Sequence, residues 1–265
     1  MRLAFSTLGV PELPVEQVAR LAADNGFHGV ELRASPEGPV HTGLTAHERA
    51  DVAAQFGKAG VEVLAVAGYA KVAAAGDDEP VLDEIGAAMR LAHDLGASFV
   101  RVFPGGAGLG REEADALAAR RLAAAAPVAE DLGVRVLLET HDSHRGGADV
   151  ARVLGRVGHV GAAGLWDVMH TWLAGEQPSA TFPALAPFLG YVQVKDIASA
   201  SDTAPLPLGA GVLPLAETVE VLSRADWDGW LCWEYEKRWY PQAADLPPLL
   251  GPAREHLTRL MTESA

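Results

Sequence analysis

The 265-residue chain holds a single cysteine, Cys232. One thiol cannot build a disulfide framework, and it rules out a cysteine-based zinc site. Cys232 therefore reads as a small apolar core residue. Positive charge is scarce as well: 21 Lys and Arg stand against 35 Asp and Glu, a formal net charge of −14. A general nucleic-acid face needs clustered cations, so nucleic acid is not an expected partner. No apolar run approaches the roughly 18 residues that a membrane span requires. No charged segment followed by an apolar stretch opens the chain, so a cytoplasmic location without a membrane partner is expected. After the first apolar run stands Ser6-Thr7-Leu8-Gly9-Val10-Pro11. This is not the glycine-rich phosphate loop of a doubly wound dinucleotide-binding sheet.

Short apolar runs alternate along the chain with longer Ala-rich amphipathic stretches. The runs predict strands near Leu3–Leu8, Phe27–Leu32, Val61–Ala67, Ser98–Phe103, Val134–Glu139, Ala162–Asp167, Gly190–Lys195 and Trp230–Glu234. Helical periodicity covers Val15–Asn25, Ala46–Ala59, Val81–Leu95, Glu112–Leu132, Ala148–Val157, Leu215–Arg224 and Pro252–Met261. The stretch after the sixth strand is the weakest, because Pro178, Pro183 and Pro187 limit any helix there. Gly26, Gly60, Gly96 and Gly133 each follow a helix and precede a strand, where a left-handed cap is needed. Eight such β-loop-α units, in a chain close to the typical length of about 250 residues, predict one (β/α)8 barrel spanning residues 1–265. The glycine-rich run Pro104–Gly110 lacks the Lys-Ser/Thr of a phosphate loop. It reads as a flexible βα loop or as one that closes over a ligand.

Polar residues stand where a barrel strand should be apolar. Alternate strand residues face the helices and the barrel axis. In the seventh strand Val192 and Val194 suit the helix side, which turns Tyr191, Gln193 and Lys195 inward. The same alternation turns Arg135, Leu137 and Glu139 inward in the fifth, and Cys232 and Glu234 in the eighth. Asp167 ends the sixth, with His170 one turn on. Four successive strands thus bring Glu139, Asp167, Gln193 and Glu234 to one rim. Carboxylates that share a cavity repel, so either some stay protonated or a cation neutralises them. A divalent ion with oxygen ligands, Mn²⁺ or Mg²⁺ rather than Zn²⁺, suits the set. Each carboxylate taken singly could instead cap a helix or pair with a surface Lys or Arg.

At this point the pattern resembles the xylose-isomerase-like sugar phosphate isomerase/epimerase family, which includes ketose 3-epimerases, inosose dehydratases and hydroxypyruvate isomerases. Phe27-His28-Gly29-Val30-Glu31-Leu32-Arg33 is similar to its second strand, and Leu138-Glu139-Thr140-His141 to the strand that supplies a metal-binding Glu. Trp166-Asp167-Val168-Met169-His170 resembles its Asp-x-x-His element, and Tyr191–Asp196 its His-x-Lys-Asp strand. Leu208-Gly209-Ala210-Gly211, then Trp227–Trp230, then Glu234 resemble its closing run. The resemblance implies a metal held by Glu139, Asp167, Gln193 and Glu234, with Gln193 standing where the family usually has His. It implies that the metal stabilises the enediolate of a hydroxy-ketone sugar while Glu139 and Glu234 exchange protons with carbon, and that His170 contacts substrate.

Other residues leave two readings open. Glu31 either hydrogen-bonds substrate or serves a surface or cap role. His141 reaches substrate or is a loop residue. Lys195 binds a substrate carboxylate or phosphate, or pairs with a barrel carboxylate; Arg101 could do either. The expected function is a divalent-metal-dependent isomerase or epimerase of a small sugar or sugar-like hydroxy-ketone. A dehydratase on the same scaffold is the nearest alternative, and a non-catalytic sugar-binding barrel the next. An apurinic-site endonuclease shares the barrel but needs strand-end histidines and a basic groove. A homo-oligomer is compatible with the fold.

Overall fold

The computed structural model describes residues 1–264. Its strands are β1 (Arg2–Ser6), β2 (Gly29–Arg33), β3 (Glu62–Lys71), β4 (Phe99–Phe103), β5 (Arg135–Glu139), β6 (Ala162–Asp167), β7 (Leu189–Val194), β8 (Ile197–Ser199), β9 (Asp202–Pro205) and β10 (Trp230–Trp233). Its helices are α1 (Val15–Asp24), α2 (Ala46–Ala59), α3 (Asp78–Leu95), α4 (Arg111–Asp131), α5 (Gly147–Val157), α6 (Val168–Leu173), α7 (Pro178–Leu185), α8 (Leu215–Arg224) and α9 (Leu250–Glu263). Eight strands close into a barrel in the order β1-β10-β7-β6-β5-β4-β3-β2. The parallel pair β1–β10 shuts the ring, with Arg2 opposite Trp230 and Phe5 opposite Trp233. This is the (β/α)8 architecture that the alternation of elements predicts. None of the described helices is long and apolar enough to cross a membrane.

Local chemistry sets the element ends. Gly26, Gly60, Gly96 and Gly133 have φ of 69°, 68°, 70° and 67°, the left-handed caps expected between helix and strand. At the other end of α2, Thr45 and Glu48 form a capping box: the Thr45 hydroxyl accepts from Glu48 N–H, and the Glu48 carboxylate accepts from Thr45 N–H at 2.7 Å.

The strand alternation divides the core in two. Ala4, Leu64, Leu137, Leu165, Tyr191 and Cys232 form a cluster inside the barrel. Val30, Val100, Val136, Leu138, Val192, Leu231 and Trp233 belong to the larger layer under the helices. Full burial of each large apolar side chain among them contributes about 1.5–3 kcal/mol. A one-residue slip in any strand would exchange the two layers and expel the polar rim residues, so the register is firmly specified.

The structure departs from the sequence expectation after β6 and β7. The stretch after β6 forms two short helices, α6 ahead of the prolines and α7 among them. Pro178 lies in the first turn of α7, where its missing N–H has no helical partner to lose. After β7 the chain makes a small antiparallel hairpin, β8–β9. Asp196 pins that excursion: its carboxylate accepts from the N–H groups of Ile197, Gly209, Gly211 and Leu213 at 2.9–3.2 Å. Among the barrel strands, β3 shifts register between Ala67 and Lys71, and Tyr69 in that irregular stretch lines the rim.

Candidate active site

The C-terminal strand ends surround a cavity of about 290 Å³ lined by Glu139, His141, His170, Glu234 and Glu236, with Tyr69, Arg101, Arg145 and Trp239 among its walls. This is the end at which barrel enzymes carry their sites. Alternation explains the delivery. Glu31, Arg101, Glu139, Asp167 and Gln193 each take an inward position near the end of β2, β4, β5, β6 and β7, and Lys195 and Glu234 follow β7 and β10 directly. All seven are buried.

Two linked networks hold these groups. On one side Gln193 Nε2 donates to Glu31 Oε2 at 2.9 Å and to Glu234 Oε1 at 3.2 Å, and the Tyr191 hydroxyl donates to the same Glu31 oxygen. On the other, the Lys195 ammonium bonds Glu234 and Glu236. It also lies 2.8 Å from Asp167 Oδ2, an ion pair without hydrogen-bond alignment. Asp167 Oδ1 accepts from the N–H groups of Met169 and His170 at 2.8 and 3.2 Å, so this carboxylate also caps α6. Arg101 Nη1 donates to Glu139 Oε2 at 3.0 Å. The His141 and His170 rings pack against each other in a tilted arrangement, with centres 4.0 Å apart and planes 57° apart. His141 Nδ1 lies 2.9 Å from Asp142 Oδ1, but without hydrogen-bond alignment.

Five carboxyl groups (Glu31, Glu139, Asp167, Glu234 and Glu236) thus face two buried cations, Arg101 and Lys195. Burial pushes the Glu139 carboxyl up to about 8, against the pull of Arg101 and His141. Burial and the nearby Glu234 raise Glu31 too. Burial raises Glu236, although Lys195 opposes it. Lys195 stays charged: burial favours its neutral form, and Asp167, Glu234 and Glu236 outweigh that. Burial, with the adjacent His141, drives His170 well below the usual histidine range, so it is a neutral imidazole near pH 7. For His141, Asp142 and Glu139 outweigh burial and the ring is raised.

Every site residue singled out from the sequence lies in this assembly, yet they do not form one ligand shell. Lys195 stands between Asp167 and Glu234, and Gln193 turns its amide N–H toward the carboxylates. The described residues whose donor atoms lie mutually within 4.8 Å are Glu139, His141 and His170. Several buried atoms have no hydrogen-bond partner: Asp167 Oδ2, Gln193 Oε1, Glu31 Oε1 and His170 Nδ1. Two participants escaped the sequence reading. Glu236 lies two residues past Glu234, the spacing that already linked Gln193 to Lys195. Tyr69 gave no signal, because its strand is irregular.

The sequence matches the family model described as xylose isomerase-like TIM barrel over residues 19–260. No curated protein is a significant match. Solved structures superpose over the whole length. A probable 3-DHS dehydratase, AsbF, of Bacillus anthracis is 19% identical, with 97% of this chain and 99% of that one covered and a TM-score of 0.81. The IolI protein with a bound zinc atom is 16% identical over 100% and 99%, with a TM-score of 0.85. D-psicose 3-epimerase of Clostridium cellulolyticum H10, solved with D-tagatose, is 14% identical over 98% and 99%, with a TM-score of 0.83. At such identities the superpositions speak for the fold, and the match of the family model over most of the sequence places the chain in the xylose isomerase-like TIM barrel family.

Proposed function

We propose that this protein is an isomerase or epimerase of a small sugar or sugar-like hydroxy-ketone, moving a proton at the carbon beside the carbonyl. One observation carries the reading: Glu139, a buried carboxyl raised to about 8, lines the same small cavity as Glu234. A carboxyl held near neutral pH both gives and takes a proton efficiently. A second carboxylate across the cavity lets a proton leave one face of the substrate and return on another. Glu139 and Glu234 take these roles. The neutral His170 offers a hydrogen bond to a substrate oxygen, and Glu31, held by Tyr191 and Gln193, positions the floor. His141 and Lys195 supply positive charge around the substrate oxygens.

The donors fit a divalent ion. Gln193 Oε1 is buried without a donor and Asp167 Oδ2 faces only the Lys195 ammonium, and with Glu139 and Glu234 they offer the oxygen chemistry that suits Mn²⁺ or Mg²⁺ if Lys195 gives way. A second set shares Glu139 and adds His141 and His170, favoured by their 4.8 Å grouping; its nitrogen donors suit Zn²⁺. A bound ion would polarise the substrate carbonyl and stabilise negative charge on its oxygen. Two structural neighbours, a D-psicose 3-epimerase and a probable 3-DHS dehydratase, are in keeping with chemistry that begins with removal of a carbon-bound proton.

The test is incubation of the protein with a panel of ketoses and Mn²⁺ in D₂O, followed by NMR. Deuterium at the carbon beside the carbonyl together with a new epimer or isomer is the expected result. Glu139→Gln and Glu234→Gln should each lower the rate by at least about 100-fold, in the range that acid–base groups contribute. Release of water without an epimer would replace this reading by a dehydratase. Wild-type rates in either variant would remove the assigned roles.

A further inference from the structure

Arg33 and Arg101 flank one aromatic ring. Their guanidinium carbons lie 5.4 and 5.5 Å from the centre of the Tyr69 ring. Both side chains are withdrawn from water, Arg33 to 9% exposure and Arg101 to 4%. A guanidinium offers about five N–H donors, and most of these are unspent. Arg101 gives one hydrogen bond, to Glu139, and its Nε is buried without an acceptor. Arg33 gives Nε–H to the Tyr69 hydroxyl, and its carboxylate neighbour, Glu37, is 3.9 Å away on a largely exposed side chain. Buried donors left unpaired are costly, the more so on a charged group.

The place of the pair is as telling as its chemistry. Tyr69 and Arg101 line both the cavity that holds Glu139 and Glu234 and a second cavity of about 730 Å³. Arg33 lines that second cavity too, beside the loop around Ser35 and His41. The cations therefore sit where the two spaces meet. We propose that Arg33 and Arg101 clamp an oxyanion, a carboxylate or a phosphate, carried by the substrate, and that Tyr69 holds the two forks in place.

The planar fork of Arg matches both oxyanions in paired hydrogen bonds. Glu139 takes one hydrogen bond from Arg101 Nη1, and the guanidinium still lines both cavities, so its remaining Nη donors, not the buried Nε, are the ones offered to the ligand. The same guanidinium then touches both the anion and the acid–base carboxyl, which puts the reacting carbon close to Glu139. Asp167 and Glu236 do not line the Arg33 cavity; the carboxylates that do are Glu37, whose largely exposed side chain stands 3.9 Å from Arg33, and Glu84, and the two guanidinium groups offset them. The inference rests on the proposed function only in calling the ligand a substrate; anion binding is measurable without turnover.

The experiment compares three probes on one three-carbon frame: glycerol, D-glycerate and glycerol 3-phosphate. Binding to the full chain is followed by ligand-observed NMR titration in EDTA. Arg33→Met and Arg33→Lys are measured alongside, with thermal unfolding to establish that both are folded. At least one anionic probe should bind tenfold or more tighter than glycerol. A preference for glycerate points to a hydroxy-ketone substrate that also carries a carboxylate, and a preference for the phosphate to a sugar phosphate. Arg33→Met should lose at least tenfold of that advantage, and Arg33→Lys should keep part of it. Equal or undetectable affinity for all three probes, or an unchanged preference in Arg33→Met, overturns the clamp. If anions bind as expected but no deuterium enters any ketose, the isomerase reading falls and the clamp stands; the opposite pattern removes the clamp alone.

Discussion

The ammonium of Lys195, at the end of β7, is bonded to the carboxylate of Glu234, at the end of the neighbouring β10. The same ammonium serves Asp167 and Glu236, so one cation is shared by three carboxyl groups on the acidic side of the rim and offsets part of their charge. A divalent ion on Asp167 and Glu234 must share or displace it. Lys195→Met should therefore bind Mn²⁺ at least tenfold tighter than wild type, a gain of about 1.4 kcal/mol. In EDTA the same variant should be less stable by about 3–5 kcal/mol, since a buried charge cluster loses its partner. Calorimetric titration and thermal unfolding, with and without Mn²⁺, measure both effects. Equal Mn²⁺ affinity in the two proteins would show that ion and lysine do not compete.

A second expectation concerns pH. The carboxyl of Glu139 titrates at about 8 in the folded chain, raised from 4.5. Below the lower value both folded and unfolded chains hold the proton, and burial of the neutral carboxyl is not penalised. Between the two values unfolding releases a proton, so a rise in pH favours the unfolded chain. The stability present in acid is lost up to the folded value, with a slope of at most about 1.4 kcal/mol per pH unit. Glu31 and Glu236 contribute in the same direction, so the difference between proteins isolates Glu139. Thermal unfolding in EDTA between about pH 5 and 9 should fall more steeply for wild type than for Glu139→Gln. Parallel curves would mean that Glu139 is ionised in the folded chain.

The barrel and its rim were legible for one reason: strand alternation is a period-two code that holds wherever one side of a strand must be apolar. Gln193 and Lys195 break that code on the inner side, and Glu139 ends it, so each announces a position at the wet end. The code stops where the strands stop. Glu236 follows β10 in irregular chain, and Tyr69 lies in the irregular part of β3, where alternation assigns no face. The β8–β9 hairpin escaped for another reason: it is organised by Asp196 gathering backbone N–H groups up to 17 residues away. Long-range polar ties of this kind leave no local periodicity.

Asp115 makes such a tie testable. This carboxylate, 1% exposed and on α4, accepts from Arg152 of α5 through two nitrogens and from His144 Nε2 at 3.0 Å. His144 in turn meets the Ser143 hydroxyl at 2.8 Å, and Asp142 accepts from Gly105 N–H at 3.2 Å. The network therefore anchors the loop that carries His141 to both α4 and the glycine-rich turn. Asp115→Ala leaves His144 without its acceptor and Arg152 with Asp149 alone. Because Arg152 is about one-third exposed, the loss should sit near the lower end for a broken buried pair, about 3 kcal/mol. Urea unfolding measures it, and a loss under about 1 kcal/mol would show that water replaces the carboxylate. Arg152→Met, which leaves His144 and Asp115 paired, should cost less.

Gln193 offers the sharpest choice between the two candidate ligand sets. Its Nε2 donates to Glu31 and Glu234, while its buried Oε1 has no partner. If that oxygen belongs to the ion's shell, Gln193→His exchanges a hard carbonyl for an imidazole. Divalent affinity should rise, most for Zn²⁺. Gln193→Leu should lose affinity, and it should lower stability by roughly 1–3 kcal/mol, because Glu234 Oε1 loses its donor while Glu31 Oε2 keeps only the Tyr191 hydroxyl. If the ion instead sits among Glu139, His141 and His170, both Gln193 variants should bind it as wild type does, and His170→Ala should abolish binding. Glu139→Gln weakens binding on either account, so the discriminating pair is Gln193→Leu against His170→Ala, titrated with Mn²⁺ and Zn²⁺ in turn. Loss confined to Gln193→Leu places the ion on the strand ends beside Lys195; loss confined to His170→Ala places it by the paired histidines His141 and His170, and leaves Lys195 to its carboxylates.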